Sequence, residues 1–148
     1  MEIFGVSDMQ TYEKNINFWS DVYGFKMNCM RKFVLQDAQI MNIKADNVVT
    51  DKQIIKTIDC QKCTLLDISE FRKEFSITVK NDTKLTGFGV SFNIDFNAEV
   101  LENKISFSTD PYHTSTHWEQ TYFQLNEPYD VKKGKISYSN KFKILFFL

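Results

Sequence analysis

The sequence contains few of the residues on which common enzyme sites depend. Its 148 residues include only 5 glycines, 2 prolines, 3 cysteines and 2 histidines. Neither glycine-rich phosphate-binding pattern occurs and no G-x-S-x-G motif is present, so the sequence predicts neither a nucleotide loop nor a hydrolase triad. No apolar run approaches the roughly 20 residues that cross a bilayer, and no basic stretch precedes an apolar one at the N-terminus. A membrane span and a secretory signal are therefore not predicted.

The charges of the chain are nearly balanced. With 18 basic and 19 acidic residues, the formal net charge is −1, and no broad positive surface for nucleic acid or an anionic membrane is predicted. An odd number of cysteines without a secretory signal indicates reduced thiols. We therefore expect a cytoplasmic or nuclear protein that binds neither nucleic acid nor a membrane.

Cys60-Gln61-Lys62-Cys63 is a C-x-x-C pair without the rest of a zinc site. Zinc needs four ligands, and the other candidates, Cys29, His113 and His117, follow at no recognisable spacing. A redox pair of the thioredoxin type would lie between a strand and a helix in an α/β pattern, which this sequence does not show. The pattern favours incidental thiols over a metal or redox site.

Aromatic residues are abundant, with 14 Phe and 6 Tyr, and they favour strands. From Phe88 to Phe96 every second residue is apolar, a period that predicts one strand. Gly87 and Gly89 near its start indicate a bulge or a close approach of another backbone. From about residue 29 the pattern indicates strands separated by turns, among them Asn126-Glu127-Pro128 and Ser139-Asn140. The other predicted strands lie at residues 2–6, 75–79, 105–107, 121–125, 135–138 and 141–147.

The N-terminal segment predicts a helix with more apolar surface than a short helix needs. Ser7 and Gln10 have the capping-box spacing, and Gly24 is a natural helix terminator. Between them, spacings of four, three and four place large apolar residues on one helical stripe: Tyr12, Ile16, Trp19 and Tyr23. Such a stripe packs either on this chain's own β structure or on a partner, and the additional apolar residues around it favour a partner.

Thr116-His117-Trp118 is the most suggestive polar-aromatic cluster. It follows the turn-rich stretch 109–115 and precedes the strand 121–125, which predicts a loop at the rim of the β structure. One interpretation is a tryptophan half-packed against that structure with a surface histidine beside it. The alternative is a ligand site, and the residues alone favour the first interpretation.

Two segments resemble one family specifically. Residues 17–30, NFWSDVYGFKMNCM, are similar to the segment that opens the dimerisation arm of type I protein arginine methyltransferases. Residues 116–118 resemble that family's Thr-His-Trp loop. Residues 58–60 and 92–96 fit the family's barrel strands, and the first of these stretches and the arm look most like the zinc-finger-bearing member. The resemblance covers roughly residues 5–136.

The resemblance implies a mainly β fold: an antiparallel β-barrel with an inserted N-terminal helical dimerisation arm at about residues 8–28, and no Rossmann domain. Residues 1–148 would form a single domain whose C-terminal strands are truncated relative to the family. In the family the arm packs on the nucleotide-binding half of a second subunit, in a homodimer or heterodimer. The anchors of this contact would be Phe18, Trp19, Tyr23 and Met27.

The resemblance also implies a role for the Thr-His-Trp triplet. The family transfers methyl groups from S-adenosylmethionine to protein arginines, including those of histones and of Arg-Gly-rich segments. A guanidinium is a planar cation that an aromatic wall suits. Thr116 and Trp118 would contribute to substrate binding, and His117 would be an accessory catalytic residue.

The sequence departs from the family in what it lacks. The family's glycine-rich donor-binding strand-turn and its loop with two glutamates have no counterpart in these residues, so we expect them to bind no cofactor and to catalyse nothing alone. A fragment, a split gene or a degenerate paralogue would each give such a chain. An alternative is a stand-alone barrel that binds and modulates a full-length methyltransferase, and a weaker one is an unrelated carbohydrate-binding β-sandwich.

Overall fold

A computed structural model describes residues 1–96 and 105–145 of the chain. These residues form mainly β structure, with short helices concentrated before the second strand. The strands are β1 Glu2–Val6, β2 Gln39–Met41, β3 Val48–Ile54, β4 Glu70–Val79, β5 Thr83–Ser91, β6 Asn93–Phe96, β7 Ile105–Ser108, β8 Gln120–Val131 and β9 Gly134–Leu145. The helices are α1 Met9–Asn15, α2 Arg31–Gln36 and α3 Leu65–Ser69, with 3-10 turns at Asn17–Ser20, Asn28–Met30 and Ala45–Asn47. No helix in these two ranges has both the length and the apolar character needed to cross a membrane.

Seven of the strands form one antiparallel sheet in the order β2-β8-β5-β1-β3-β4-β9. The sheet curls into half of a barrel, and β6 and β7 form a separate two-stranded hairpin. The N-terminal helices lie between β1 and β2 in the chain. The mainly β fold with helices inserted near its start confirms the predicted fold class.

The core is divided between the two faces of the sheet. Because side chains alternate along a strand, Ile3 and Phe4 of β1 point to opposite faces, and neither exposes any surface. Phe4 packs in the smaller cluster, which also contains Val6, Ile43, Val48 and Tyr122. The larger cluster contains Ile3, Ile55, Phe75, Ile77, Val79, Leu85, Phe88, Val90 and Val131.

Gly87 and Gly89 confirm the predicted close approach to β5. A Cβ at Gly89 would lie 2.6 Å from Cζ of Phe4, and a Cβ at Gly87 would lie 2.6 Å from the carbonyl oxygen of Phe123. Both distances are shorter than carbon and oxygen atoms tolerate, so the neighbouring strands lie where only glycine leaves room.

Several predicted strand boundaries were wrong. The strand predicted from Phe88 to Phe96 is interrupted at Phe92, which separates β5 from β6. The turn predicted at residues 126–128 is an irregularity inside β8, because the partners change from Gly87↔Gln124 to Leu85↔Tyr129. A proline is tolerated there because a bulge frees the residue from donating to the ladder.

The last two predicted strands form one strand, β9. The turn predicted at residues 139–140 lies within it, at a register shift between Lys73 and Phe75 of the neighbouring β4. Such a shift accommodates extra residues without ending the strand. Of the strand predicted at residues 141–147, the last two residues lie outside the described part of the chain.

The predicted N-terminal helix was too long and began one residue too early. Its N-cap is Asp8 and not Ser7, because the Asp8 carboxylate accepts a hydrogen bond from the Thr11 amide at 2.9 Å. The helix α1 ends at Asn15, and a 3-10 turn follows. The helix α2 was not predicted, since the pattern after residue 29 had indicated strands.

Candidate functional site

The rim loop, residues 109–119 between β7 and β8, is fixed at its base by buried polar side chains. The backbone amide of Phe92 donates to Thr109 Oγ1 at 2.9 Å, and the Thr109 amide donates to the Phe92 carbonyl at 3.0 Å. Gln120 Nε2 donates to the Thr109 carbonyl at 2.6 Å, and Gln120 Oε1 accepts from the Ile43 amide at 2.7 Å. Buried groups that are fully hydrogen-bonded resist displacement because breaking one bond leaves its partner unsatisfied. The base of the loop is therefore rigid.

A second set of contacts holds the first half of the rim loop through charge. Lys52 of β3 forms an ion pair with the buried carboxylate of Asp110. The Lys52 ammonium also lies 4.6 Å from the ring centroid of Tyr112, and the ammonium of Lys80 lies 5.4 Å from it. Lys80 Nζ also donates to the Tyr112 hydroxyl at 3.0 Å. The Lys52 ammonium on the ring and the Lys80 bond to the hydroxyl tie this part of the loop to β3 and to the end of β4.

The second half of the rim loop presents an aromatic stack to solvent. The Trp118 indole stacks on Phe107 with centroids 5.2 Å apart and planes at 21°. The His117 imidazole lies 3.9 Å from the indole centroid at 35°. Phe107 in turn packs edge to face on Phe92 at 6.2 Å. Trp118 remains 49% exposed, although two aromatic rings lie against its indole.

The hairpin of β6 and β7 extends this aromatic stack into an apolar wall. Its register pairs Ile94 with Phe107 and Phe96 with Ile105, and cross-strand pairs share one face of a hairpin. The opposite face carries Asn, Asp and Ser. Ile94, Phe96 and Ile105 are exposed, so one apolar surface runs from the hairpin to Trp118.

This arrangement suits the recognition of a flat cation better than it suits catalysis by itself. The exposed part of the Trp118 indole can contact a planar cation such as a guanidinium, and stacking on the indole face that His117 covers requires this imidazole to move. Thr116 Oγ1 is buried without a hydrogen-bond partner, so the triplet also holds an unsatisfied hydroxyl. Within residues 1–96 and 105–145, no group of three or more His, Cys, Asp or Glu side chains is placed to hold a metal ion.

The N-terminal helical segment, residues 9–36, is the second candidate surface, and it is anchored at its base. Tyr12 is buried, and its hydroxyl donates to the Asn126 carbonyl at 2.9 Å. Arg31 donates to the same hydroxyl at 3.1 Å, which joins α1 to α2. Ile16 exposes no surface. The first half of the predicted stripe therefore packs on this chain's own barrel.

Asp8 attaches the start of the helical segment to two neighbouring elements. Besides the Thr11 amide, its carboxylate accepts from Asn47 Nδ2 at 3.1 Å. The Asp8 amide donates to Thr86 Oγ1 of β5 at 2.9 Å. A charged N-cap with several hydrogen-bond partners is among the stronger local anchors.

The tip of the helical segment is a tight turn and not a helix. Val22 and Phe25 exchange two backbone hydrogen bonds, of 2.9 and 3.0 Å. Between them Tyr23 has φ 53° and Gly24 has φ 89°, the signs that a type I′ turn requires. Tyr23 is thus a non-glycine residue in a left-handed conformation, a state that costs about 1 kcal/mol and often marks a functional position. Its side chain is 94% exposed.

Phe18 and Trp19 lie between the anchored base and the exposed tip. Their rings pack edge to face with centroids 5.2 Å apart. With Phe33 and Val34 of α2 they line an open groove of about 340 Å³. The Met27 amide donates to the Trp19 carbonyl at 3.0 Å, which closes the loop between the two residues. The predicted anchors of the partner contact therefore lie on a groove and a turn and not on one helical stripe, and their contact with a partner stays a prediction.

Comparison with known proteins gives these surfaces a family context. A family model described as the arginine methyltransferase oligomerization subdomain matches residues 1–143. The chain belongs to this family. The match confirms the resemblance on which the arginine methyltransferase prediction was based, and the closer likeness to the zinc-finger-bearing member stays a prediction.

Individual arginine methyltransferases cover most of this chain but extend well beyond it. Protein arginine N-methyltransferase 1 of Dictyostelium discoideum is 30% identical over 134 residues, which cover 90% of this chain and 38% of that protein. The Oryza sativa enzyme of the same name is 29% identical and is covered to 34%. The chain thus spans little more than a third of these curated relatives.

Solved structures of the arginine methyltransferase family share the fold. A chain of the Trypanosoma brucei PRMT1 enzyme-prozyme heterotetrameric complex with AdoHcy superposes with a TM-score of 0.84 at 22% identity, over 90% of this chain and 42% of that one. The open form of Arabidopsis thaliana protein arginine methyltransferase 10 superposes with a TM-score of 0.67 at 20% identity, over 89% of this chain and 45% of that one.

Residues that support the candidate surfaces were not all found from the sequence. Phe107 was predicted as a strand residue upstream of the triplet, and its contact with the Trp118 indole was not predicted. The signal was available, because Phe107 belongs to the alternating apolar residues of β7 and lies close before the triplet. The Lys52–Asp110 pair left no such signal, since the two residues are 58 positions apart and only the fold brings them together.

Proposed function

We propose that this chain is the barrel and dimerisation part of an S-adenosylmethionine-dependent protein arginine methyltransferase, and that these residues do not catalyse methyl transfer alone. The family match and the curated relatives, of which the chain covers little more than a third, support this proposal. The observation that carries it is Tyr23, which the tight turn holds in a strained conformation with its side chain almost wholly in solvent. Strain without an internal contact is expected where a side chain is presented to a partner.

The helical segment would pack on the donor-binding half of a methyltransferase subunit. Tyr23, Phe18 and Trp19 would be its anchors, with Met27 supporting the loop behind them. Aromatic side chains of this kind dominate the free energy of binding at interfaces. The Trypanosoma brucei structure contains an enzyme paired with a prozyme, which supports an assembly with either an identical or a different subunit.

The rim loop would close the arginine site from the barrel side. Trp118, which packs on Phe107, would offer the exposed part of its indole to the substrate guanidinium, with Thr116 beside it and the His117 imidazole against the ring. His117 would be an accessory residue that orients groups of the donor-binding half. The substrates would be proteins with Arg-Gly-rich segments, and the expected compartment is the cytoplasm or the nucleus, which imaging of a tagged chain tests.

Binding to a full-length arginine methyltransferase tests the proposal. We expect the purified chain to bind such an enzyme and Tyr23→Ala to weaken binding by about tenfold or more, since an aromatic anchor contributes about 2 kcal/mol. Tyr129→Ala is the matched control, because Tyr129 is 66% exposed on β8, outside the helical segment. Equal losses for the two variants, or no binding at all, would contradict the proposed role of the helical segment.

Methylation assays separate the proposal from its alternative. We expect no methyl transfer to an Arg-Gly-rich peptide by the chain alone, and methylation under these conditions would refute this part. If the chain is one part of a split enzyme, a polypeptide with the donor-binding half should become active only when the chain is added. If the chain modulates a complete enzyme, it should change the rate of a methyltransferase that is already active.

A further inference from the structure

The C-x-x-C pair lies in one closed turn that the proposed function does not use. The amides of Lys62 and Cys63 both donate to the Asp59 carbonyl, at 3.0 and 2.8 Å. These bonds span three and four residues, so residues 59–63 form a single helical turn. Asp59 Oδ1 also accepts from the Gln61 amide at 3.0 Å and closes the start of the turn. Both cysteines therefore have a defined backbone conformation.

The next residues fasten the other side of this turn. The Thr64 amide and hydroxyl donate to Asp67 Oδ2 at 2.8 and 2.7 Å. These bonds lower the pKa of the Asp67 carboxyl because they favour its ionised form. Cys60 is exposed and Cys63 is half-buried, and both are free thiols.

We propose that Cys60 and Cys63 form a reversible disulfide when the protein meets a peroxide. Residues three apart in a helical turn have Cβ atoms about 5–6 Å apart, and a disulfide needs about 3.5–4.5 Å. The difference is small for an exposed turn. The isolated Cys29, in the 3-10 turn Asn28–Met30, has no cysteine near it in sequence.

The reaction takes two steps that balance with hydrogen peroxide as the oxidant. The exposed Cys60 thiolate attacks one peroxide oxygen, the O–O bond breaks, and a sulfenic acid and hydroxide form. The Cys63 thiolate then attacks the Cys60 sulfur, the S–S bond forms, and the sulfenic oxygen leaves as hydroxide. With two protons from the thiols, the sum is two thiols and one peroxide giving one disulfide and two waters. Two molecules of reduced glutathione return the pair to thiols by two thiol–disulfide exchanges, and they leave joined as oxidised glutathione.

The test compares the disulfide in the folded chain and in the same chain in urea. Both are equilibrated with mixtures of reduced and oxidised glutathione, and peptide mass mapping measures the Cys60–Cys63 bond as the loss of two hydrogen masses. Because the turn holds the cysteines close together, we expect an effective concentration at least about tenfold higher in the folded chain. An equal or lower value in the folded chain would overturn the proposal.

Variants separate the turn from general thiol reactivity. Asp59→Ala should reduce the effective concentration towards the value in urea, and Asp59→Asn, which caps almost as well, should retain it. Peroxide should oxidise Cys29 without forming an internal bond, which provides the internal control. Equal values for the Ala and Asn variants, or peroxide oxidation of Cys60 and Cys63 to separate sulfenic acids, would likewise overturn the proposal.

Discussion

Replacing Gly89 by alanine tests how closely β1 and β5 pack. Phe4 exposes no surface, and a Cβ at Gly89 would lie 2.6 Å from its Cζ and 2.9 Å from Cδ1 of Ile43. The Phe4 ring cannot move away from the new methyl group without displacing other core side chains. Overpacking of a filled core typically costs about 1–3 kcal/mol. Since the methyl group is confined from two sides, we expect a loss of about 3 kcal/mol in the free energy of unfolding.

Urea denaturation of four proteins measures this effect: the parent chain, Gly89→Ala, Phe4→Leu and the double variant. The smaller leucine makes room for the methyl group, so the double variant should be about 1 kcal/mol or more closer to the parent than the sum of the single losses. Gly24→Ala is the control, because nothing lies within 4 Å of its added Cβ and only its φ of +89° opposes alanine. Adding Phe4→Leu to Gly24→Ala should recover none of the unfolding free energy that Gly24→Ala loses. Strict additivity of Gly89→Ala and Phe4→Leu would refute the packing argument.

Two further predictions concern pH. Hydrogen bonds from the Lys133 amide and the Lys132 ammonium lower the pKa of Asp82. The ionised Asp82 therefore stabilises the fold fully above pH 3.8, and this stabilisation is lost as the pH falls further. Asp82→Asn should flatten this part of an acid-denaturation curve. Burial raises the pKa of Tyr122 from 10.0 to about 12, so stability is lost as the pH rises between these values. Tyr122→Phe should remove that alkaline loss of stability. At neutral pH the variant should be less stable by about 1 kcal/mol, because it loses the hydrogen bond to Thr86. An unchanged alkaline denaturation curve would contradict the role of the Tyr122 hydroxyl.

The strand at residues 75–79 of β4 could be predicted from the sequence because only one of its faces is buried. Phe75, Ile77 and Val79 alternate with polar residues, and all three lie in the core. Apolar residues at every second position indicate one buried face of a strand, so the spacing itself predicts the strand. The breaks within strands could not be predicted, since Phe92 continues the alternation and only its bonds to Thr109 show where β5 ends.

The prediction of one helical stripe was correct for its first two residues and wrong for its last two, for a physical reason. Tyr12 and Ile16 are buried at helical spacing, but the same spacing continues by chance through Trp19 and Tyr23, beyond the end of α1 at Asn15. Periodicity cannot distinguish residues that face a core from residues that face a partner. The turn at Tyr23 and Gly24 gave a weak signal, since glycine favours positive φ, but the sequence had suggested a helix end.

The candidate site was predicted from the family resemblance and not from physical pattern. Trp118 looked like an ordinary loop aromatic until the fold placed Phe107 against it and left it 49% exposed. The pairing of Lys52 with Asp110, which holds the rim loop, depends on sheet topology. Side chains that meet across distant strands leave no local mark in a sequence.

The helical segment joins a base that does not tolerate substitutions to a tip that does. The Tyr12 hydroxyl is bonded to β8 and the Asp8 carboxylate to Thr11 and Asn47, so substitutions there disturb the attachment of the segment to the barrel. Tyr23 makes no such demand, because its side chain lies almost wholly in solvent. Mutations of Tyr23 can therefore accumulate at little cost in folding free energy, and under the proposed function related subunits would acquire different preferences for one another while keeping the same scaffold.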